Sequence, residues 1–305
     1  MGCGHDHGQH VGDRGRLLMT LGVASLVLVA EVIGAAITGS LALLVDAAHM
    51  LTDVSGLIIA ALAATMMLRP ADDRRTWGWA RAEVLAAALQ ALVLLVAGIY
   101  ATVEGIQRLI DPPVVSPEGI AVVGVLGLAA NLLGLALLVS RRKHNLNMRA
   151  AFLEVANDAL GSVAVLVSAA VVYFTGWVRA DAVAGLFIAA LILPRAYTVL
   201  KTAANILMEA APAGLDLDEV RAHMLKVSHV ESVHDLHASL VATGMPILTA
   251  HVVLADECFS DGHAQSILQE IQDCLAHHHD VAIEHCTIQL ETVAAASTHL
   301  DHMHA

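Results

Sequence analysis

Six stretches of this chain are apolar for longer than a soluble helix face requires, and they leave few folds open. They cover residues 17–38, 41–68, 84–109, 117–140, 150–175 and 180–200. A helix needs about 20 mainly apolar residues to cross a bilayer. In lipid every backbone N–H and C=O must be satisfied internally, which an α-helix does within its own segment. Composition agrees. The chain is 57% hydrophobic with mean hydropathy +0.69, and 15% of its residues are charged, against about 25% in an ordinary globule. The expectation is an α-helical polytopic membrane protein with six transmembrane helices. The first stretch does not read as a cleavable signal peptide, because it carries Glu31 and no small-residue cleavage site follows it. Thr38-Gly39-Ser40 leaves room only for a tight turn before the second stretch.

Lysine and arginine set the expected orientation. Arg14, Arg16, Arg69, Arg74, Arg75, Arg81, Arg141, Arg142, Lys143, Arg149, Arg195 and Lys201 fall on one side of the spans. Only Arg108 and Arg179 fall on the other. Cytoplasmic loops carry the excess of positive charge, so both termini are expected in the cytoplasm, at the inner membrane if the source is a bacterium. The net charge of −13 does not suggest nucleic-acid binding. Four cysteines, Cys3, Cys258, Cys274 and Cys286, show no paired spacing and do not suggest a disulfide framework.

From about residue 209 the composition turns polar. Residues 216–227 read as an amphipathic helix, 232–240 and 246–255 as strands around Thr243-Gly244, 261–277 as a helix with Asp261 as its N-cap, and 281–292 as a last strand. The order αββαβ predicts a small α+β domain with a ferredoxin-like or truncated ferredoxin-like sheet. The expected division is a histidine-containing cytoplasmic tail at 1–16, a six-helix transmembrane domain at 17–208, a cytoplasmic domain at 209–292, and a second histidine-containing tail at 293–305.

Chemistry is concentrated in two short motifs inside apolar stretches, H-M-L-T-D from His49 to Asp53 and E-V-A-N-D from Glu154 to Asp158. Each pair is spaced i,i+4 and shares one face of a helix. A charged side chain near the bilayer centre costs roughly 2.5–3.5 kcal/mol on insertion scales, and no lysine or arginine lies at matching depth to pair with these four. One imidazole and three carboxylates suit a divalent cation. Three ionised acids around an empty site would repel one another, so protons are expected to replace a departing metal. Either His49 or Glu154 could carry the proton. Asp46 lies one turn before His49, as a partner for the imidazole or a residue near outer water. Asn157, Asn131 and Glu31 are further polar residues in the spans, with Glu31 in need of a partner or a cavity. Packing is the plainer role for Asn131, and for Gly105, Gly124, Gly127 and Gly134.

These motifs resemble the cation diffusion facilitator family over nearly the whole chain. The likeness is carried by S-L-A-L-L-V-D-A-A-H-M-L-T-D-V at 40–54, R-P-A-D-D-R-R-T-W-G-W-A-R-A-E at 69–83 and N-M-R-A-A-F-L-E-V-A-N-D-A-L-G-S-V at 147–163. In the tail domain V-H-D-L-H, A-H-V-V and T-I-Q-L-E add to it. The chain is most similar to the bacterial cobalt–zinc–cadmium resistance branch. Many zinc transporters of the family carry histidine where Glu154 stands, so the resemblance leaves strict zinc selectivity open.

The resemblance implies a homodimeric exporter of Zn²⁺, with Cd²⁺ and Co²⁺, in exchange for protons across a lipid bilayer. The metals are substrate and regulatory ligand, no prosthetic group is expected, and the protein is not expected to be an enzyme. It also assigns metal binding and dimerisation to the cytoplasmic domain at 209–292, with His234, His237, His251, His263, His285 and Glu291 as candidate ligands and His234 with His251 as the leading pair. Cys286 is the cysteine best placed for a soft metal. Arg74, Arg75 and Arg81 are expected to form ion pairs with the cytoplasmic domain. Four rival readings are weighed: an intramembrane metalloprotease, which lacks its H-E-x-x-H helix here; a membrane-bound metal sensor that does not transport; import instead of export, which topology does not exclude; and an exporter of Mn²⁺ or Fe²⁺, which a harder, glutamate-containing site would admit.

Overall fold

The computed structural model describes residues 9–67, 72–139, 146–260, 262–277, 281–283 and 285–296. Most of the two histidine-rich tails, Asp261, His278 and His279 lie outside the described residues, as does the side chain of Glu154. Two compact units are distinguished, Met1–Ala64 with Ala86–Lys201, and Thr65–Leu85 with Thr202–Ala305.

The first unit is built from six long helices: α1 (Gln9–Thr38), α2 (Leu41–Met67), α3 (Ala80–Ile110), α4 (Pro117–Val139), α5 (Leu146–Thr175) and α6 (Arg179–Leu207). Among the described residues four stretches are long and apolar enough to cross a membrane: Ala80–Ile110, Pro117–Ala136, Val155–Thr175 and Arg179–Leu207. Ala24–Thr38 is a shorter apolar helix. Large apolar side chains such as Leu89, Val96, Val103 and Phe174 point outward, the reverse of a water-soluble bundle. The interior is rich in small residues, among them Ala42, Ala101, Ala169, Ala184, Ala189 and Ala196. Without a hydrophobic drive between helices in lipid, such residues allow the close approach that packing needs. The α1–α2 turn uses Gly39 at φ 69°, a conformation glycine adopts without strain.

Several helices outrun their apolar stretches. α3 starts at Ala80, α5 at Leu146, and α6 continues to Leu207. Hydropathy marks where lipid ends. Helical hydrogen bonding continues through good helix formers such as Arg81, Glu83 and Lys201.

The second unit holds α7 (Leu217–Met224), β1 (Val230–Ala242), β2 (Met245–Leu254), α8 (Glu257–Ser260), α9 (Ala264–His277) and β3 (His285–Glu291). Asp216 caps α7, accepting from the backbone N–H of Asp218 and Glu219. The three strands form one mixed sheet in the order β1-β2-β3, with β1 and β2 antiparallel and β2 and β3 parallel. Val220, Met224, Val252, Ile271 and Leu275 are among the side chains that fill the core between sheet and helices.

Three details depart from the sequence reading. The turn α8, with Cys258 buried beneath it, was not expected. The last strand begins at His285 and not at 281. Ile283 is 1% exposed, but its N–H is given to Leu275 O at the end of α9, so its apolarity marks burial and not strand pairing. β1 is longer than expected because it is irregular. Val233 and Leu236 both face the core although three positions apart, and the register shifts between His234 and His237, with Asp235 at φ 48°. A bulge of this kind re-aims side chains within a strand.

Candidate metal-binding sites

His49 and Asp53 stand one turn apart on α2, and Asp158 of α5 faces them. His49 Nε2 lies 3.0 Å from Asp158 Oδ1 and 3.5 Å from Asp53 Oδ2. One ligand atom from each of the three lies within 4.8 Å of the others. A tetrahedral ion with bonds of about 2.0–2.1 Å holds its ligand atoms about 3.3 Å apart, so these separations are those of a coordination shell. The side chains are withdrawn from solvent, at 7%, 24% and 11% exposure for His49, Asp53 and Asp158. A charge so withdrawn is expensive unless it is paired or bound to metal. Glu154 sits one turn before Asp158 on α5.

Around this cluster the expected partners sort differently. His49 Nδ1 is buried and has no hydrogen-bond partner among the described residues, so the orienting contact expected from Asp46 is not made. Asp46 is 5% exposed and faces α5, with its Oδ1 3.3 Å from where a Cβ on Gly161 would stand. Asn157 is exposed and is not part of the cluster. Asn131 donates to Ser162 Oγ at 3.1 Å, linking α4 to α5. Glu31 is 2% exposed.

Two supporting residues escape the sequence reading. Gln90 of α3 donates to the carbonyl of Thr52, which lies between His49 and Asp53. Asp181 of α6 caps α2: it accepts from Ser40 Oγ and, at 2.6 Å, from the Leu41 backbone N–H. A carboxylate at a helix N-terminus satisfies orphan donors and complements the helix dipole. The only sequence signal for either was a lone polar residue in an apolar stretch, and that signal names no partner.

The second unit carries a separate cluster. The β1–β2 register sets His234 directly opposite His251, and their rings are 5.1 Å apart. In the parallel pair β2–β3, His251 is level with Gln289 and Val253 with Glu291, so Glu291 shares the face of His251, away from the core. His234 Nε2 is 3.2 Å from Glu291 Oε2, and His251 Nδ1 is 2.7 Å from Glu291 Oε1. Glu291, only 2% exposed at its side chain, therefore offers one oxygen to each imidazole. Two neutral imidazoles and a carboxylate are a donor set suited to zinc.

The other tail-domain candidates lie apart from it. His237 is 76% exposed and lies 3.8 Å from Asp235. His263 is exposed. His285 is exposed and meets the edge of Trp77, with ring centroids 5.7 Å apart. Cys286 pairs in register with Leu248 on the core side of the sheet, so it is not the well-placed soft ligand expected. Burial pushes the Cys286 and Cys274 thiols up, with Glu270 adding to the effect at Cys274. The thiolate is the metal-binding form, and a raised thiol holds little of it near neutral pH. Of the three arginines, Arg81 pairs with Glu209 at 2.8 Å. Arg75 instead stacks over Trp79 at 3.8 Å, and the Arg74 backbone N–H donates to Asp72 Oδ1 at 2.9 Å. Neither Arg74 nor Arg75 makes an ion pair among the described residues.

Comparison with known proteins covers most of the chain. The family model described as the cation efflux transmembrane domain matches residues 17–208, and that of the cation efflux protein cytoplasmic domain matches 212–293. The metal cation efflux system protein CzcD of Cupriavidus metallidurans is 41% identical over 95% of this chain and 90% of its own length. The cadmium, cobalt and zinc/H(+)-K(+) antiporter of Bacillus subtilis is 34% identical over 95% and 93%. The zinc transporter ZitB of Escherichia coli is 38% identical over 90% and 87%.

Proposed function

The chain belongs to the cation efflux family, and on that premise we propose that it exports Zn²⁺, with Cd²⁺ and Co²⁺, from the cytoplasm in exchange for protons. The observation that carries the reading is the buried convergence of His49, Asp53 and Asp158 from two helices of the membrane domain. Glu154, one turn from Asp158, supplies the fourth ligand. With three carboxylates ionised, a bound divalent ion leaves the site one negative charge in excess. Once the ion departs, the carboxylates repel one another in a medium that screens poorly, and protons restore the balance. Transport follows by alternating access, the site opening first to the cytoplasm and then outward. His49 keeps the site from being wholly hard, which favours zinc, cadmium and cobalt over manganese or iron.

The surrounding architecture follows the same reading. Residues 17–208 form six spans in the inner membrane of a bacterium, with both termini cytoplasmic, as the arginine and lysine distribution supports. Residues 209–292 form a truncated ferredoxin-like domain of order αββαβ through which two copies dimerise. His234, His251 and Glu291 hold a regulatory ion there, with the two imidazoles sharing the Glu291 carboxylate. Arg81 with Glu209 fixes the segment after α2 against the start of this domain. The printed names of the relatives, a cation efflux protein, a cadmium, cobalt and zinc antiporter and a zinc transporter, support the substrate class.

Direction is tested in inside-out vesicles from cells that express the chain. Acidifying the vesicle interior should drive zinc inward, because cytoplasmic loading faces the medium. Accumulation no greater than in vesicles carrying Asp53→Ala would contradict export.

A further inference from the structure

A second polar group lies apart from the three-ligand cluster. Glu31 of α1 is 2% exposed, and its Oε2 is buried with no hydrogen-bond partner among the described residues. A Cβ placed on Gly127 of α4 would stand 3.2 Å from Glu31 Oε1 and 3.4 Å from Ser162 Oγ of α5. The carboxylate and the hydroxyl therefore both border the space that Gly127 leaves open. Ser162 is 1% exposed and receives a hydrogen bond from Asn131. On the adjacent residue of α5, Gly161 faces Asp46 of α2. Two buried acids thus border this region, Asp46 against α5 and Glu31 against α4, and neither belongs to the His49–Asp53–Asp158 cluster.

The chemistry narrows what this group can bind. A carboxylate kept only for packing would have both oxygens satisfied, since a buried unpaired polar atom costs about 1–3 kcal/mol. A metal ion needs about four ligand atoms, or six to eight for a hard cation, and among the described residues Glu31 belongs to no group of ligand atoms close enough to hold one. A proton needs one oxygen, and it turns a buried charge into a neutral acid.

We propose that Glu31 carries the proton exchanged for metal, as a neutral carboxylic acid when the metal site is empty and as a carboxylate when it is filled. Among the described residues, the charged side chains acting on it are Asp46 of α2 and Asp158 of α5. On α4, Gly127 lies against it and Asn131 bonds Ser162, both neutral, and the one charged residue of that helix is Glu118 in the first turn. A divalent ion arriving beside Asp158 cancels a negative neighbour of Glu31. The O–H bond of the Glu31 acid then breaks, its proton leaves to cytoplasmic water, and the carboxylate keeps the electron pair. When metal leaves outward, a proton from outer water re-forms the bond. The proton on Glu31 is in this way linked to the metal through charge, without Glu31 being a ligand.

The inference rests on the antiport reading, and the test separates the two. The full-length protein is placed in proteoliposomes with zinc as the only metal, and zinc and internal pH are followed together. A parent protein whose zinc flux ignores an imposed pH gradient overturns the antiport reading, and the inference with it. With a coupled parent, Glu31→Gln should still bind zinc and pass it downhill. Its flux should lose its response to the gradient, with fewer protons moved per zinc, while Glu31→Asp restores the response. Gradient-driven flux in Glu31→Gln equal to the parent overturns the assignment. Infrared difference spectra give an independent reading that does not need the glutamine variant to fold. Zinc addition should bleach a protonated-carboxyl band whose frequency shifts in Glu31→Asp. No bleached band, or one unmoved in Glu31→Asp, overturns the assignment as well.

Discussion

A single imidazole nitrogen, His49 Nε2, faces carboxylates on two helices at 3.0 and 3.5 Å, and metal choice turns on what stands beside it. Glu154→His would add a second nitrogen donor and soften the site. The ratio of zinc flux to cobalt and cadmium flux should rise, and equal ratios in parent and variant would remove Glu154 from the selectivity argument. In the tail domain Glu291 serves both histidines with one buried carboxyl. Glu291→Gln keeps the shape and removes the charge. Zinc titration in an Asp53→Ala background, which removes a ligand of the membrane site, should show affinity of the tail-domain site lower by at least about tenfold, the lower end of what even a lost outer partner costs a metal site. Unchanged affinity would contradict the ligand assignment. These residues were legible in the sequence because local geometry dictates them. An i,i+4 pair on a helix must share a face, and the turn at Thr243-Gly244 pairs the two histidine-bearing strands, although only the register shifts within β1 bring His234 opposite His251. Glu31 was legible only as a buried acid. Its neighbours Gly127 and Ser162 come from other helices, and nothing in the order of residues names them.

Among the elements, α2 is the one whose placement matters most, since it carries two of the three clustered ligands. Its N-terminus is held by Asp181, far away in sequence on α6, and by the turn at Gly39, whose carbonyl accepts from Arg108 at 2.6 Å. Asp181→Ala should uncap the helix and destabilise the protein by about 0.5–2 kcal/mol, as caps generally do. Thermal unfolding of the detergent-solubilised protein would show a lower midpoint, and an unchanged midpoint would deny the cap its role. Helix positions were legible because hydrophobic length is a strong signal. Helix ends were not, since α3 and α6 run on through polar residues. Strand β1 hid its bulge for a related reason. Val233 and Leu236 break the two-residue period, and only the pairing register shows how the strand absorbs the extra residue.

Across the whole molecule two histidine–carboxylate clusters are kept in separate units, one among membrane helices and one on the face of a small sheet away from its core. The division was visible in composition, because the apolar stretches end near residue 200 and charged residues return after it. The pairing of Arg81 with Glu209 was foreseen in kind. The turning of Arg75 onto Trp79 was not, since a cation can be held by an aromatic face as well as by an acid. The central claim is that the buried His49–Asp53–Asp158 cluster is the path of metal coupled to protons. The most direct measurement is zinc flux and internal pH in proteoliposomes under an imposed pH gradient, comparing the parent with Asp158→Ala. Gradient-driven zinc flux with matching proton movement in the parent, abolished in a folded Asp158→Ala protein, is the predicted result. Equal flux in the two proteins, or zinc binding by the parent without flux, would contradict it.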